Sequence, residues 1–269
     1  MKTSKLLAIP YVVWITLFTI IPLALVVVFA LTDSEGSFTL QNLLDMSQYM
    51  SVLFRSILYA MIATVICLIL AFPAAFIISR AKSINQSSLI ILIMVPMWIS
   101  FLLRTYAWMT LLDYNGLINQ FLGLFGIGPL PLINNGGAVI LGMVYNYLPF
   151  MILPLYSVMV KINQNVIEAA QDLGANQFTL VRRVLLPLSM PGINSGIIAV
   201  FVPSVSTFVI SRLLGGGTND LIGDFIESQF LGSSYNPHLG SAMSLVLMVI
   251  VLFMMSLFNQ FGGEEDVIL

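Results

Sequence analysis

Six stretches without a single Asp, Glu, Lys or Arg set the terms for this chain: residues 6–31, 56–79, 83–103, 137–160, 184–211 and 239–263. A helix needs about 20 apolar residues to cross the hydrocarbon of a bilayer, and all six reach that length. Only 8% of the 269 residues are charged and 59% are hydrophobic, whereas soluble domains carry about 25% charged residues. Too little charge is available to coat a water-facing globule, so the surrounding medium is lipid. The expected fold class is all-α: a polytopic membrane protein with six transmembrane helices. The third helix is expected to run past Arg104 to about Leu112, and Pro22, Pro73, Pro96, Pro149, Pro154 and Pro203 lie inside spans, where prolines often kink helices. The first run follows Lys2 and Lys5 as a signal peptide would. It is too long for a signal core, and Phe29-Ala30-Leu31 is a poor cleavage site, so it is read as a retained span.

Orientation follows from the basic residues, which favour the cytoplasmic side. With the N-terminus inside, Lys2, Lys5, Arg80, Lys82, Lys161, Arg182 and Arg183 are all cytoplasmic. Both termini then face the cytoplasm. The outer connections, 32–55, 113–136 and 212–238, collect the acids Asp33, Glu35, Asp45, Asp113, Asp220, Asp224 and Glu227. Short helices are expected at 117–125 and, as a re-entrant or interfacial piece, at 221–230. Gly215-Gly216-Gly217 reads as a flexible hinge. It could pass for a phosphate loop, but no Gly-Lys dipeptide occurs in the chain, so a nucleotide-binding P-loop is excluded.

The longest polar interruption is residues 165–193, NVIEAAQDLGANQFTLVRRVLLPLSMPGI. It reads as two short cytoplasmic helices forming a docking surface. Asn165 suits an N-cap, with Glu168 placed to complete a capping box. Gly174 suits the left-handed position after a helix end. Asn176 can cap a second helix, in which Phe178, Val181, Val184 and Leu185 recur at helical spacing. Pro187 is expected to end that helix, and Pro191-Gly192 to mark a turn.

Catalytic patterns are missing. One histidine, His238, makes a His-Glu-x-x-His site impossible, and no Gly-x-Ser-x-Gly occurs. His238 is read as a surface or capping residue, and Cys67, inside an apolar run, as a small buried hydrophobe. No metal, no cofactor and no nucleic-acid partner is expected, and the chain is not expected to be an enzyme.

The interruption closely resembles the EAA loop of ABC-importer permease subunits. Glu168-Ala169-Ala170, Leu173-Gly174-Ala175, Val184-Leu185-Leu186-Pro187 and Met190-Pro191-Gly192-Ile193 match that pattern without a gap. The resemblance implies a type I importer fold. Its coupling loop lies at 161–192, within a permease domain at 51–260. A first helix and outer connection at 1–50 precede that domain, and a cytoplasmic tail at 261–269 follows. It implies an ATPase-contacting surface formed by Glu168, Ala169, Ala170, Asp172, Leu173, Gly174, Ala175 and Pro187. It also implies the partners: a second permease subunit, homologous but different, two copies of a P-loop ATPase, and an extracytoplasmic substrate-binding protein. The setting would be the inner membrane of a bacterial cell.

Further matches narrow the resemblance. Arg104-Thr105-Tyr106-Ala107-Trp108, Tyr147-Leu148-Pro149-Phe150-Met151, residues 213–217 with Leu221-Ile222-Gly223, and Gly240-Ser241-Ala242 resemble polyamine-importer permeases, in particular the first permease subunit of spermidine/putrescine systems. The acidic C-terminal GGEEDVIL departs from the family's basic tail. Permeases for ferric ion, sulfate or amino acids share much of the pattern and stay open as alternatives. So does an ion-coupled transporter, although no internal repeat is visible. A cationic cargo would be held by carboxylates and aromatic faces. Candidates are Asp113, Asp224 and Glu227 with Tyr106, Trp108, Tyr145 and Tyr147. The rings could equally be an interfacial belt and the acids solvated loop charge. Arg104, deep in a span, is expected to pair with an acid such as Asp113.

Overall fold

Inside lipid every backbone hydrogen bond has to be closed within the protein, and this chain closes them with helices. The computed structural model describes residues 2–232 and 234–261. Among them a lone antiparallel bridge, Thr32 to Phe38, is the nearest thing to a strand. Four helices are long and apolar enough to cross a membrane: Ile9–Ala30, Gln41–Arg80, Gly136–Met159 and Pro237–Gln260. Two bent pairs raise the number to six. The acidic C-terminal tail lies outside the described residues.

The centre is formed by the Met50–Arg80, Gly136–Met159 and Met190–Val205 helices, which pack on one another more extensively than any other set. Lipid tails are as apolar as leucine, so no hydrophobic force draws spanning helices together. Close backbone approach between small residues does that work. The Met50–Arg80 helix buries Ala60, Ala63, Thr64, Cys67, Ala71 and Ala75 along one stripe. Cys67 is fully buried there, its Sγ 3.8 Å from the Val144 carbonyl. Gly192 and Gly196 lie against the far end of the Gly136–Met159 helix. A Cβ at Gly192 would come within 2.9 Å of the Pro154 carbonyl oxygen, and one at Gly196 within 2.6 Å of Met151 Sδ.

Three expectations about helix breaks are corrected. The third span is broken at Ile99 and Ser100, both extended at ψ 141° and 133°, and its halves meet at 85°. Pro96 removes an N–H just before the break, and the turn around it tightens to a 3-10 helix, Val95–Trp98. The fifth span stops at Val205, and the chain resumes as a short helix, Val209–Leu214. Gly223 packs into that gap, where a Cβ would meet the Thr207 and Ser206 carbonyl oxygens at 2.5 and 2.7 Å. Pro187 does not end its helix. The preceding turn widens into a π-helix, Val181–Leu185, which accommodates the proline ring and its missing donor. The chain then bends by 73° at Ser189. Pro191 and Gly192 accordingly open the next helix instead of forming a turn.

The segment just after the glycine run is tied to the Met50–Arg80 helix. Gly216 and Gly217 take left-handed φ values of 65° and 73°. Arg55 donates to the Thr218 carbonyl oxygen at 3.3 Å and to that of Asp220, while the Ile222 amide donates to Ser56 Oγ at 2.8 Å. The following helix, Ile222–Leu231, falls where a short one is expected, as does Leu117–Gly123. His238 acts as a cap: its Nδ1 lies 3.1 Å from the Phe29 carbonyl oxygen at the end of the first span.

The Gly192 contact predicts a steric test. Gly192→Leu is expected to cost about 1–3 kcal/mol through overpacking, read as a lowered thermal midpoint in detergent. Gly123→Ala, where a Cβ meets nothing, is expected to leave the midpoint unchanged.

Candidate functional site

Two places bring chemistry-bearing residues together, at opposite ends of the central helices. The first is the segment from Asn163 to Ser189, at the end marked by Arg80, Lys161, Arg182 and Arg183. Its leading helix runs Gln164–Asp172 and is capped by Asn163, whose side chain accepts from the Asn165 amide at 3.0 Å. The cap is therefore two residues earlier than the Asn165 expected from sequence, and Glu168 closes no capping box. The helix ends in a Schellman motif. Gly174 sits at φ 83°, its amide donating to the Gln171 carbonyl at 2.8 Å, and the Ala175 amide donates to the Ala170 carbonyl at 3.0 Å. Asn176 caps the second helix, accepting from the Thr179 amide at 2.8 Å.

The two helices are seated by one apolar cluster. Ile167, Leu180 and Leu185 are buried against Phe72 and Phe76 of the Met50–Arg80 helix. Arg80 adds a polar tie. Its Nη1 donates to the Ile162 carbonyl at 3.0 Å and to Gln164 Oε1 at 3.5 Å, and its Nη2 to the Met159 carbonyl at 3.2 Å. The Met159 carbonyl closes the Gly136–Met159 helix and that of Ile162 lies in the turn after it, where helical partners run out. Glu168, Ala169, Asp172, Leu173, Gly174 and Pro187 are exposed, with Ala170 and Ala175 half-buried. Leu173 is 90% exposed and Phe178 72% exposed. Phe178 thus departs from the inward stripe expected for it, and Leu180 takes its place. Two apolar side chains are thus left bare on an anchored polar segment.

The second place is the opposite end, where the acids gather. Asp224 is 6% exposed and its Oδ2 accepts from the Leu221 amide at 2.7 Å, capping the Ile222–Leu231 helix. Burial pushes its carboxyl up to about 6. Glu227 is held by Arg212 in a two-point ion pair, Nη1 to Oε1 at 3.2 Å with Nη2 on Oε2. Arg212 and Asp220, which flank these acids, are not among the cargo-site candidates named from the sequence. Arg212 and Glu227 lie on separate short helices, so no periodic pattern reveals their pairing.

The remaining candidates separate. Trp108 and Tyr145 stack edge-to-face at 5.3 Å. Tyr147 is only two residues from Tyr145, on a different helix face. It is 8% exposed and its hydroxyl donates to the Pro203 carbonyl at 3.4 Å. Tyr106 is 46% exposed. Asp113 is exposed and accepts from the Asn115 amide at 3.1 Å. It does not pair with Arg104, against expectation. Nine helical residues put about 13 Å of rise between them. Among the described residues Arg104 forms no ion pair, and its buried Nε has no partner. Its guanidinium lies 6.0 Å from the Phe101 ring centroid.

Arg80 generates a prediction. Arg80→Gln is expected to release the loop end, so that amide hydrogen exchange speeds up over residues 162–173 and stays unchanged in the central helices. Uniform acceleration would mean that Arg80 supports the whole bundle.

Comparison with known proteins agrees with this geometry. The model of the family described as "Binding-protein-dependent transport system inner membrane component" matches residues 3–261. A spermidine/putrescine transport system permease protein PotB of Haemophilus influenzae is 38% identical over 253 residues, 89% of this chain and 88% of that protein. The protein of the same name in Escherichia coli is 37% identical over 249 residues, 88% and 90% of the two chains. Among solved structures, a bacterial ABC transporter involved in import of the acidic polysaccharide alginate superposes with a TM-score of 0.77 at 17% identity, covering 98% of this chain and 96% of that one. At that identity the likeness establishes the fold alone. The chain belongs to the inner membrane components of binding-protein-dependent transport systems, the permease subunits of ABC importers.

Proposed function

We propose that this chain lines the membrane pathway of an ATP-driven importer for polyamines such as spermidine and putrescine. The observation that carries the transport reading is the anchored segment with its exposed Glu168–Gly174 face: a permease without a nucleotide site needs a rigid handle for a separate motor. The cargo reading rests on relatives named for spermidine and putrescine that span most of this chain, together with the acids Asp220, Asp224 and Glu227 at one end.

In this reading the Arg80 end faces the cytoplasm, as do both termini, and the division at 1–50, 51–260 and 261–269 holds. Two copies of a P-loop ATPase grip the coupling loops of this chain and of a second, homologous but different permease subunit. Contact is made through Glu168, Ala169, Ala170, Asp172, Leu173, Gly174 and Ala175, with Pro187 shaping the return to the membrane. Closure of the ATPases moves the loop, and the loop moves the Gly136–Met159 and Met190–Val205 helices it joins. Biasing two pore states decisively takes a differential of about 5 kcal/mol, within reach of nucleotide binding to two motors. A binding protein delivers cargo at the opposite end. Tyr106, Trp108, Asp113, Tyr145, Tyr147, Asp224 and Glu227 are assigned to the pathway. Edge-stacked Trp108 and Tyr145 are the best placed rings for an ammonium.

Gly174→Val tests the handle. A branched side chain at φ 83° costs about 1–2 kcal/mol and unwinds the Schellman end. The variant is expected to assemble but to hydrolyse ATP without uptake; normal coupled uptake would refute the assignment. Cargo is tested by labelled spermidine uptake against unlabelled putrescine and sulfate. Putrescine should compete and sulfate should not. The reverse result would assign the chain to an anion importer.

A further inference from the structure

Resting on the amine-importer reading, we propose that Arg212 is a resident stand-in for the cargo's ammonium, occupying Glu227 until an incoming amine displaces it. Each partner of this ion pair lines a cavity. One, of about 290 Å³, is lined by Arg212, Gly217, Asp220, Asp224, Phe225 and Ser228. The other, of about 400 Å³, is lined by Val202, Phe208, Ile226, Leu247 and Met248, with Glu227 as its carboxylate. The Arg212–Glu227 pair therefore links a polar chamber to an apolar one.

The charges around it do not balance. Glu227 first, through its hydrogen bond, then Asp224 and Asp220 through their fields, hold the Arg212 guanidinium above its ordinary value. One guanidinium thus serves three carboxylates. Asp224 adds an independent sign of a missing ligand. The residue is 6% exposed, and its Oδ1 accepts no hydrogen bond of good geometry: the nearby Ser211 hydroxyl, close enough to steady the carboxylate, donates to the Phe208 carbonyl at 3.0 Å. A buried carboxylate oxygen without a donor is costly, and an ammonium supplies up to three donors.

The pair is built to exchange. The Arg212 side chain is 53% exposed and that of Glu227 21%, and an ion pair this open to water adds little stability. Arg212 can swing into solvent at little cost. An alkyl amine matches what it leaves: one ammonium at Asp220 and Asp224, methylenes against Val202, Ile226 and Leu247, and a second ammonium at Glu227. The Phe208 and Phe225 rings offer cation–π contacts. A bare metal cation has no methylenes to fill the apolar chamber.

The test is equilibrium binding of labelled spermidine to the assembled importer in detergent, without its binding protein, alongside spermidine uptake in proteoliposomes with it. Glu227→Gln is expected to weaken binding about 10-fold, the loss of one charge-assisted contact. Arg212→Gln, which vacates Glu227, is expected to tighten binding about 3-fold, the removal of a pair worth a fraction of a kcal/mol. The exchanged variant, Arg212→Glu with Glu227→Arg, preserves the ion pair and should assemble normally, yet lose binding as Glu227→Gln does. Native binding in the exchanged variant, or weakening by Arg212→Gln, would make the pair a structural brace and overturn the inference while native uptake leaves the amine reading intact. A native importer that takes up no amine would overturn both.

Discussion

Spanning helices have no water between them to expel, so their association depends on how closely backbones can approach. The small stripe from Ala60 to Ala75 and the Gly192–Gly196 pair meet that requirement at the Gly136–Met159 helix. The consequence is mechanical. The coupling segment is flanked by two helices clamped together at its base, where Gly192 touches the Pro154 backbone. In the proposed mechanism, a force on the loop would reach that clamp instead of being lost in slack chain.

Arg80 completes the transmission. Its guanidinium bonds the carbonyls of Met159 and Ile162 and fastens a third helix to the same joint. Apolar seating by Ile167, Leu180 and Leu185 fixes the angle at which Leu173 projects. The opposite end is organised by charge, with Arg55 pinning the loop that carries Asp220 and Arg212 holding Glu227. Under the proposed function, the basic end would receive force and the acidic end cationic cargo.

Legibility in the sequence tracked the range of the interactions. Asn176 as a cap and Gly174 as a left-handed stop were readable because each acts on the residues beside it. The cap at Asn163 was misplaced by two positions because Asn163 and Asn165 offer the same chemistry. Pro96 and Pro187 show opposite outcomes of one local lesion. The first breaks its span at Ile99 and Ser100, while the second is absorbed by a π turn, and the difference lies in the packing around each. Tyr145 and Tyr147 looked equivalent in sequence, yet helical geometry turns one toward Trp108 and the other toward Pro203. Arg80 and the Arg212–Glu227 pair were invisible as interactions, since each joins residues far apart in the chain that only the assembled helices bring together.

The central claim is that a rigid segment of this chain meets its motor inside the cell. Replacing Cys67 with alanine and Leu173 with cysteine gives a single thiol at the most exposed apolar point of the segment. Membrane-impermeant maleimide should label it in inside-out vesicles and not in intact spheroplasts, and a short bifunctional cross-linker should join it to the ATPase subunit. Labelling from the outside, or no cross-link while ATP-driven uptake persists, would contradict the account.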